Sequence, residues 1–185
     1  DTLERVRLKK GRYGVVTLHR PANVDEPETL ARLLEVLVEV ARDLPLVFPI
    51  HPRTEARLQH FGLLDRLKAA PGMVLLPSQG YLDFLCLTSQ ARVIITDSGG
   101  LQEESTALGI PCLTLRPNTE RPITVHEGTS TLVSSDPKRL RQCLRAVLDG
   151  TYKQGRCPSL WDGQAAERIA EVLARTAAAE SRRAA

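Results

Sequence analysis

Short apolar runs of strand length alternate with longer stretches of helical period along this chain. Residues 13–18, 46–50, 73–76, 93–96, 112–115 and 131–133 read as strands, about six in all. Between and after them, residues 26–43, 54–62, 82–90, 99–108 and 137–148 read as helices, and a last helix runs from about 163 to 179. In the first of these, Leu30, Leu33, Leu34, Leu37 and Val38 share one face, and Pro27 suits its first turn. Gly109 closes the fourth, and Asp136 is placed to cap the fifth. The strands are apolar throughout instead of alternating. That predicts an α/β protein with a doubly wound parallel sheet, covered by helices on both faces.

Composition narrows the picture. The chain has 185 residues, 42% hydrophobic and 25% charged, which matches a globular protein with a proper core. A net charge of +3, with scattered basic residues, points away from nucleic acid. No apolar run reaches the ~18 residues a membrane helix needs, so neither membrane insertion nor export is expected. The four cysteines form no Cys-x-x-Cys pair and have no zinc-finger spacing. Three lie in apolar patterns, so buried free thiols and a reducing cytoplasm are expected. No metal site is expected. The chain opens at Asp1 without methionine, in a helix-like segment carrying Leu3, Val6 and Leu8, and reads as the continuation of something longer. Its tail, 180–185, is expected to fray.

Ligands of open α/β sheets sit beyond the carboxyl ends of the strands. Five consecutive loops there carry polar or cationic groups: His19-Arg20, His51-Pro52-Arg53, residues 77–80, Asp97-Ser98-Gly99-Gly100, and the stretch from Arg116 to Arg121. In the fourth, Ser98 is placed as an N-cap. Gly99 and Gly100 let an anion approach the free N–H groups of the helix start. An ordinary capped helix explains the same residues. Glu104 is expected to project back over that turn, where a carboxylate suits sugar hydroxyls better than phosphate. Glu103 needs only the helix dipole. His19 and Arg20 can bind an anion, or His19 can be satisfied by backbone. Arg116 and Arg121 flank a loop stiffened by Pro117 and Pro122. Phe84 is a core residue or an aromatic face for a base.

Taken in order, "TLHRPANVD" (17–25), "PIHPRT" (49–54), "GYLDFL" (80–85), "TDSGGLQEE" (96–104), "RPNTERPITVHEGT" (116–129) and "DGQAAERI" (162–169) resemble the non-hydrolysing UDP-N-acetylglucosamine 2-epimerases. The resemblance spans nearly the whole chain. It implies a Rossmann-like domain, the C-terminal half of a two-domain fold like the GT-B glycosyltransferases. The N-terminal domain, with the family's catalytic carboxylates, would be absent from residues 1–185, and the chain alone inactive. The implied reaction interconverts UDP-GlcNAc and UDP-ManNAc by eliminating UDP to a 2-acetamidoglucal and adding it back, with no cofactor. In matching positions, Ser98, Gly99 and Gly100 would hold phosphate. His19 and Arg121 would be the cationic catalytic partners, Glu104 the ribose ligand and Phe84 the uracil neighbour. Arg20 and His51 fall near positions that bind a second, activating UDP-GlcNAc. A cytoplasmic homodimer is implied for the full-length enzyme, in the synthesis of cell-surface polysaccharides. The chain departs from the family pattern at Ala22, at Ile123 and at Leu160-Trp161. Two other readings stay open: the donor-binding half of a GT-B glycosyltransferase, and a nucleotide-sugar sensor without catalysis.

Overall fold

The computed structural model describes residues 2–183, with side chains as far as Thr176. Six strands form one sheet: β1 (Gly14–Thr17), β2 (Leu46–Pro49), β3 (Met73–Leu76), β4 (Val93–Thr96), β5 (Cys112–Thr114) and β6 (Ser130–Leu132). Every pairing is parallel, and the order is β3-β2-β1-β4-β5-β6. This is the strand order of dinucleotide-binding Rossmann sheets, with the chain direction across the sheet reversing between β1 and β4.

The sheet is two-sided because its side chains alternate. Val16, Phe48, Ile95 and Leu113 enter one core, while Val15, Val47, Ile94 and Cys112 enter the other. The first core is closed by α3 (Pro27–Ala41), α4 (Pro52–His60), α5 (Leu64–Lys68) and α9 (Pro137–Leu148). The second is closed by α1 (Thr2–Arg5), α6 (Tyr81–Ser89) and α7 (Gly99–Leu108). All four residues of β2 and of β4 are buried, as apolar-throughout strands require.

The short helices were not legible in the pattern. α2 (Pro21–Val24), α5 and α8 (Pro122–His126) are each one turn or little more, too brief to show a helical period. Two of them open on proline, which is preset for a first helical turn. The final helix α10 (Ala165–Arg183) runs past the expected end, so 180–183 continue the helix instead of fraying; 184–185 lie outside the described residues. The opening segment holds only the single turn α1. Of the cysteines, all free, only Cys112 is buried; Cys86 and Cys143 are half-buried and Cys157 is exposed, which corrects the expectation of three buried thiols.

Gly72 shows how tightly the turn into β3 is built. Its φ is +79°, and a Cβ there would lie 1.9 Å from the Ala41 carbonyl oxygen. Its own carbonyl accepts from the Leu46 N–H, starting the β2–β3 ladder. The left-handed backbone alone costs a non-glycine residue about 1–3 kcal/mol. Gly72→Ala is therefore expected to lower stability by at least that much in urea unfolding. An unchanged midpoint would contradict the packing described.

Candidate functional site at the switch point

The loops after β1 and β4 face each other where the strand order reverses, and one side chain joins them. Asp97 follows β4 and is 0% exposed. Its Oδ1 lies 2.8 Å from His19 Nδ1. The main-chain N–H groups of His19 and Arg20 donate to it, at 3.0 and 2.9 Å to Oδ2. Asn23 Nδ2 donates to Oδ2 at 3.1 Å and also to the Leu115 carbonyl at 2.9 Å, tying in the end of β5. Burial pushes the Asp97 pKa up, but the His19 ring and the main-chain and Asn23 donors hold it below its ordinary value. The magnitudes agree with that direction. A lone buried carboxylate costs several kcal/mol. Hydrogen bonds to a charged group contribute about 1.5–3 kcal/mol each, so four donor groups outweigh burial.

The other side of the crevice is the first turn of α7. Ser98 occupies the N-cap in extended conformation, but its side chain makes no cap bond, unlike the expected role. Its N–H donates to Thr96 Oγ1 at 2.9 Å, and its hydroxyl has no partner among the described residues. Gly99 is required by a neighbour: a Cβ there would lie 2.9 Å from Arg121 Nη1. The Arg121 guanidinium thus sits against the positive end of α7, a poor place for a cation on its own. Glu103 compensates, with Oε2 2.7 Å from Arg121 Nε. Dipole complementarity was therefore too small a role for Glu103; it is the counter-ion of Arg121.

The loop that carries Arg121 is locked from below. Gln102 is fully buried; its Oε1 accepts from Thr119 Oγ1 at 2.7 Å and its Nε2 donates to the Ser98 carbonyl at 3.3 Å. Thr119 Oγ1 also accepts from the Arg121 N–H at 3.0 Å. Arg116 grips Glu120 with two bonds of 2.8 and 2.7 Å, holding that carboxyl at about 2. Glu120 is thereby drawn from Arg121, whose Nη1 is 3.8 Å away.

Glu104 has no ion pair or hydrogen bond among the described residues and is half-buried. Burial first, and the Glu103 charge second, raise its pKa. It is an acceptor without a donor. His51 stands beside His19, ring centroids 5.6 Å apart, and caps α4 by accepting the Arg53 N–H on Nδ1. Arg53 and Arg57 both hold Asp25, so one of their two charges is neutralised at that rim. Arg20 contributes its main chain to Asp97, and its charge helps depress Glu120. Phe84, on α6, is half-buried against the second core and is thus neither wholly core nor free. Gly100 is exposed, with open space where a Cβ would stand.

The structure therefore gathers His19, Arg20, His51, Ser98, Gly99, Gly100 and Arg121 around one edge. It adds Asp97, Asn23, Gln102 and Thr119, which the sequence reading did not single out. A readable signal existed for Asp97 alone: a carboxylate ending an apolar strand run cannot be buried without donors. Two open grooves, of about 590 and 470 Å³, lie at the opposite edge near Gly11 and Arg92, and contain none of these groups. Among the described residues no group of three or more His, Cys, Asp or Glu is arranged to hold a metal, and no helix is long and apolar enough to cross a membrane.

A Rossmann-like sheet with a cationic crevice at its switch point defines a nucleotide-binding class. A family model described as UDP-N-acetylglucosamine 2-epimerase matches residues 1–174, and the chain belongs to that family. UDP-N-acetylglucosamine 2-epimerase of Methanocaldococcus jannaschii is 40% identical over 163 residues, covering 87% of this chain and 44% of that protein. The crystal structure of the M. jannaschii UDP-GlcNAc 2-epimerase in complex with UDP-GlcNAc and UDP superposes with a TM-score of 0.78 at 39% identity, over 88% of this chain and 45% of that one. An E. coli ADP-heptose lps heptosyltransferase II shares the fold alone, at TM-score 0.55 and 18% identity. The chain spans about half the length of the relatives it matches.

Asp97→Asn presents an amide N–H₂ to a cage of N–H donors. Each unsatisfied buried group costs about 1–3 kcal/mol, so urea unfolding near neutral pH is expected to show a loss of that size or more. The pH dependence has a definite sign. A carboxylate whose folded pKa is lowered adds stability above its unfolded value, near 3.8, and loses it as pH falls through the folded value. Acid unfolding of the native chain is expected to steepen below about pH 4, and this slope should shrink in Asp97→Asn. Parallel acid profiles would contradict the role of Asp97.

Proposed function

We propose that this chain is the UDP-binding half of a UDP-N-acetylglucosamine 2-epimerase, interconverting UDP-GlcNAc and UDP-ManNAc by elimination and re-addition of UDP. The observation that carries the reading is the division of labour along the first turns of α7. Ser98 offers a hydroxyl, and Gly99 and Gly100 offer first-turn N–H groups with no partner among the described residues, with Arg121 against Gly99. Those groups suit a diphosphate. Glu104 has no donor among the described residues, and vicinal ribose hydroxyls supply two.

The chemistry asked of this half is electrostatic. When UDP leaves the sugar, negative charge grows on the diphosphate. Preorganised N–H donors, the Arg121 guanidinium and a His19 ring that gains a proton at Nε2 stabilise that charge. Phe84 would face the uracil. Arg20 and His51, beside His19, are the residues a second UDP-GlcNAc would meet. The groups that move the proton at the sugar's C2 are not among those gathered here. They belong to the part of the family's length that lies outside this chain, so the chain alone is expected to bind UDP without turning over UDP-GlcNAc.

Calorimetry with UDP and 2′,3′-dideoxy-UDP tests the reading. The native chain is expected to prefer UDP. Glu104→Ala is expected to weaken UDP binding about tenfold or more, the equivalent of one charged hydrogen bond. It should leave dideoxy-UDP little changed. Glu103→Ala should cost both ligands alike and less. Equal losses for the two glutamates, or no UDP binding at all, would sink the assignment.

A further inference from the structure

The geometry points to Asp97 as a positioning residue that fixes the His19 imidazole as its Nδ1–H tautomer and so presents Nε2 to the crevice. What Nε2 meets rests on the reading of that crevice as a diphosphate site; the tautomer does not.

The main-chain N–H groups of His19 and Arg20 and the Asn23 side-chain amide are donors that do not lose their protons. A proton on Oδ2 would turn an O–H against these donors, and one shared from Oδ1 to His19 Nδ1 would remove the charge that all of them stabilise, so the site keeps Asp97 ionised and acceptor-only. His19 Nδ1, 2.8 Å from Oδ1, must then carry its proton inward. In the neutral ring that leaves the lone pair on Nε2, which has no partner among the described residues. The ring is 37% exposed, so Nε2 can be reached by a ligand. A proton gained at Nε2 makes an imidazolium backed by a buried carboxylate, able to donate to a diphosphate oxygen.

The neighbouring His51 is held the opposite way. Its Nδ1 accepts the Arg53 N–H at 3.2 Å, so the proton of its neutral ring is on Nε2. Two imidazoles 5.6 Å apart thus carry opposite tautomers, each set by a different local donor or acceptor. A merely structural Asp97 that only sutures the two loops would not require the His19 proton to sit on Nδ1.

Long-range ¹H–¹⁵N spectra of the uniformly ¹⁵N-labelled 185-residue chain decide this. They are recorded near pH 8.5, about two units above the ordinary imidazole pKa. The four histidines are distinguished by the signals lost in His19→Gln and His51→Gln. His19 is expected as the Nδ1–H form and His51 as the Nε2–H form. An Nε2–H or averaged His19 overturns the proposal. Asp97→Asn, where it folds, is expected to move His19 to the Nε2–H or averaged form with His51 unchanged; retention of Nδ1–H in that variant also overturns it. Saturating UDP should then shift His19 Nε2. If calorimetry records UDP binding and Nε2 does not shift, Nε2 is not presented to the ligand. If no UDP binds, the diphosphate reading fails, while the tautomer stands or falls on the ligand-free spectrum.

Discussion

The buried carboxylate of Asp97 is the constraint on which the site depends. A charged group with no solvent contact at the end of β4 can exist only inside a cage of donors. The cage is supplied by the loop after β1 and by Asn23 on α2, and Asn23 reaches on to the end of β5. Meeting the needs of one side chain therefore brings three strand ends into register. It also orients His19, and through the main chain it sets where Arg20 begins. The one-turn helix α2 has no periodicity to recommend it, yet its presence follows from the need to deliver an amide to Asp97.

The first turns of α7 perform a second partition. Leu101 packs in the core, Gln102 locks the loop below Arg121, Glu103 neutralises Arg121, and Glu104 has no partner among the described residues. Consecutive side chains on a helix point about 100° apart, so four successive residues reach four different environments. Gly99 makes room for the guanidinium that Glu103 holds. Two carboxylates behind one helix-start turn are thus compatible: Glu103 is matched to a cation, while Glu104 has no partner among the described residues.

The strands and long helices were legible because burial on both sides of a parallel sheet leaves unbroken apolar runs, as in β2 and β4. The loops at the carboxyl edge were legible as a group because fold class alone says where ligands sit. The resemblance added the family, which the match over residues 1–174 bears out. What escaped was set by long-range partners. Nothing local marks Gln102 as the lock of a loop that includes Thr119, 17 residues on. Helical facing separated Glu104 from Glu103, but nothing local named Arg121 as the partner of Glu103. Ser98 looked like a cap from its position, but a free hydroxyl is visible only in the structure.

Backbone amide shifts in the ¹⁵N-labelled chain titrated with UDP test the central claim, that the switch-point crevice is the nucleotide site. The account predicts the largest changes at His19, Ser98, Gly99, Gly100 and Arg121, with Gly11 and Arg92 at the opposite edge unaffected. Changes centred on the grooves around Gly11 and Arg92, with the α7 N-terminus still, would contradict it.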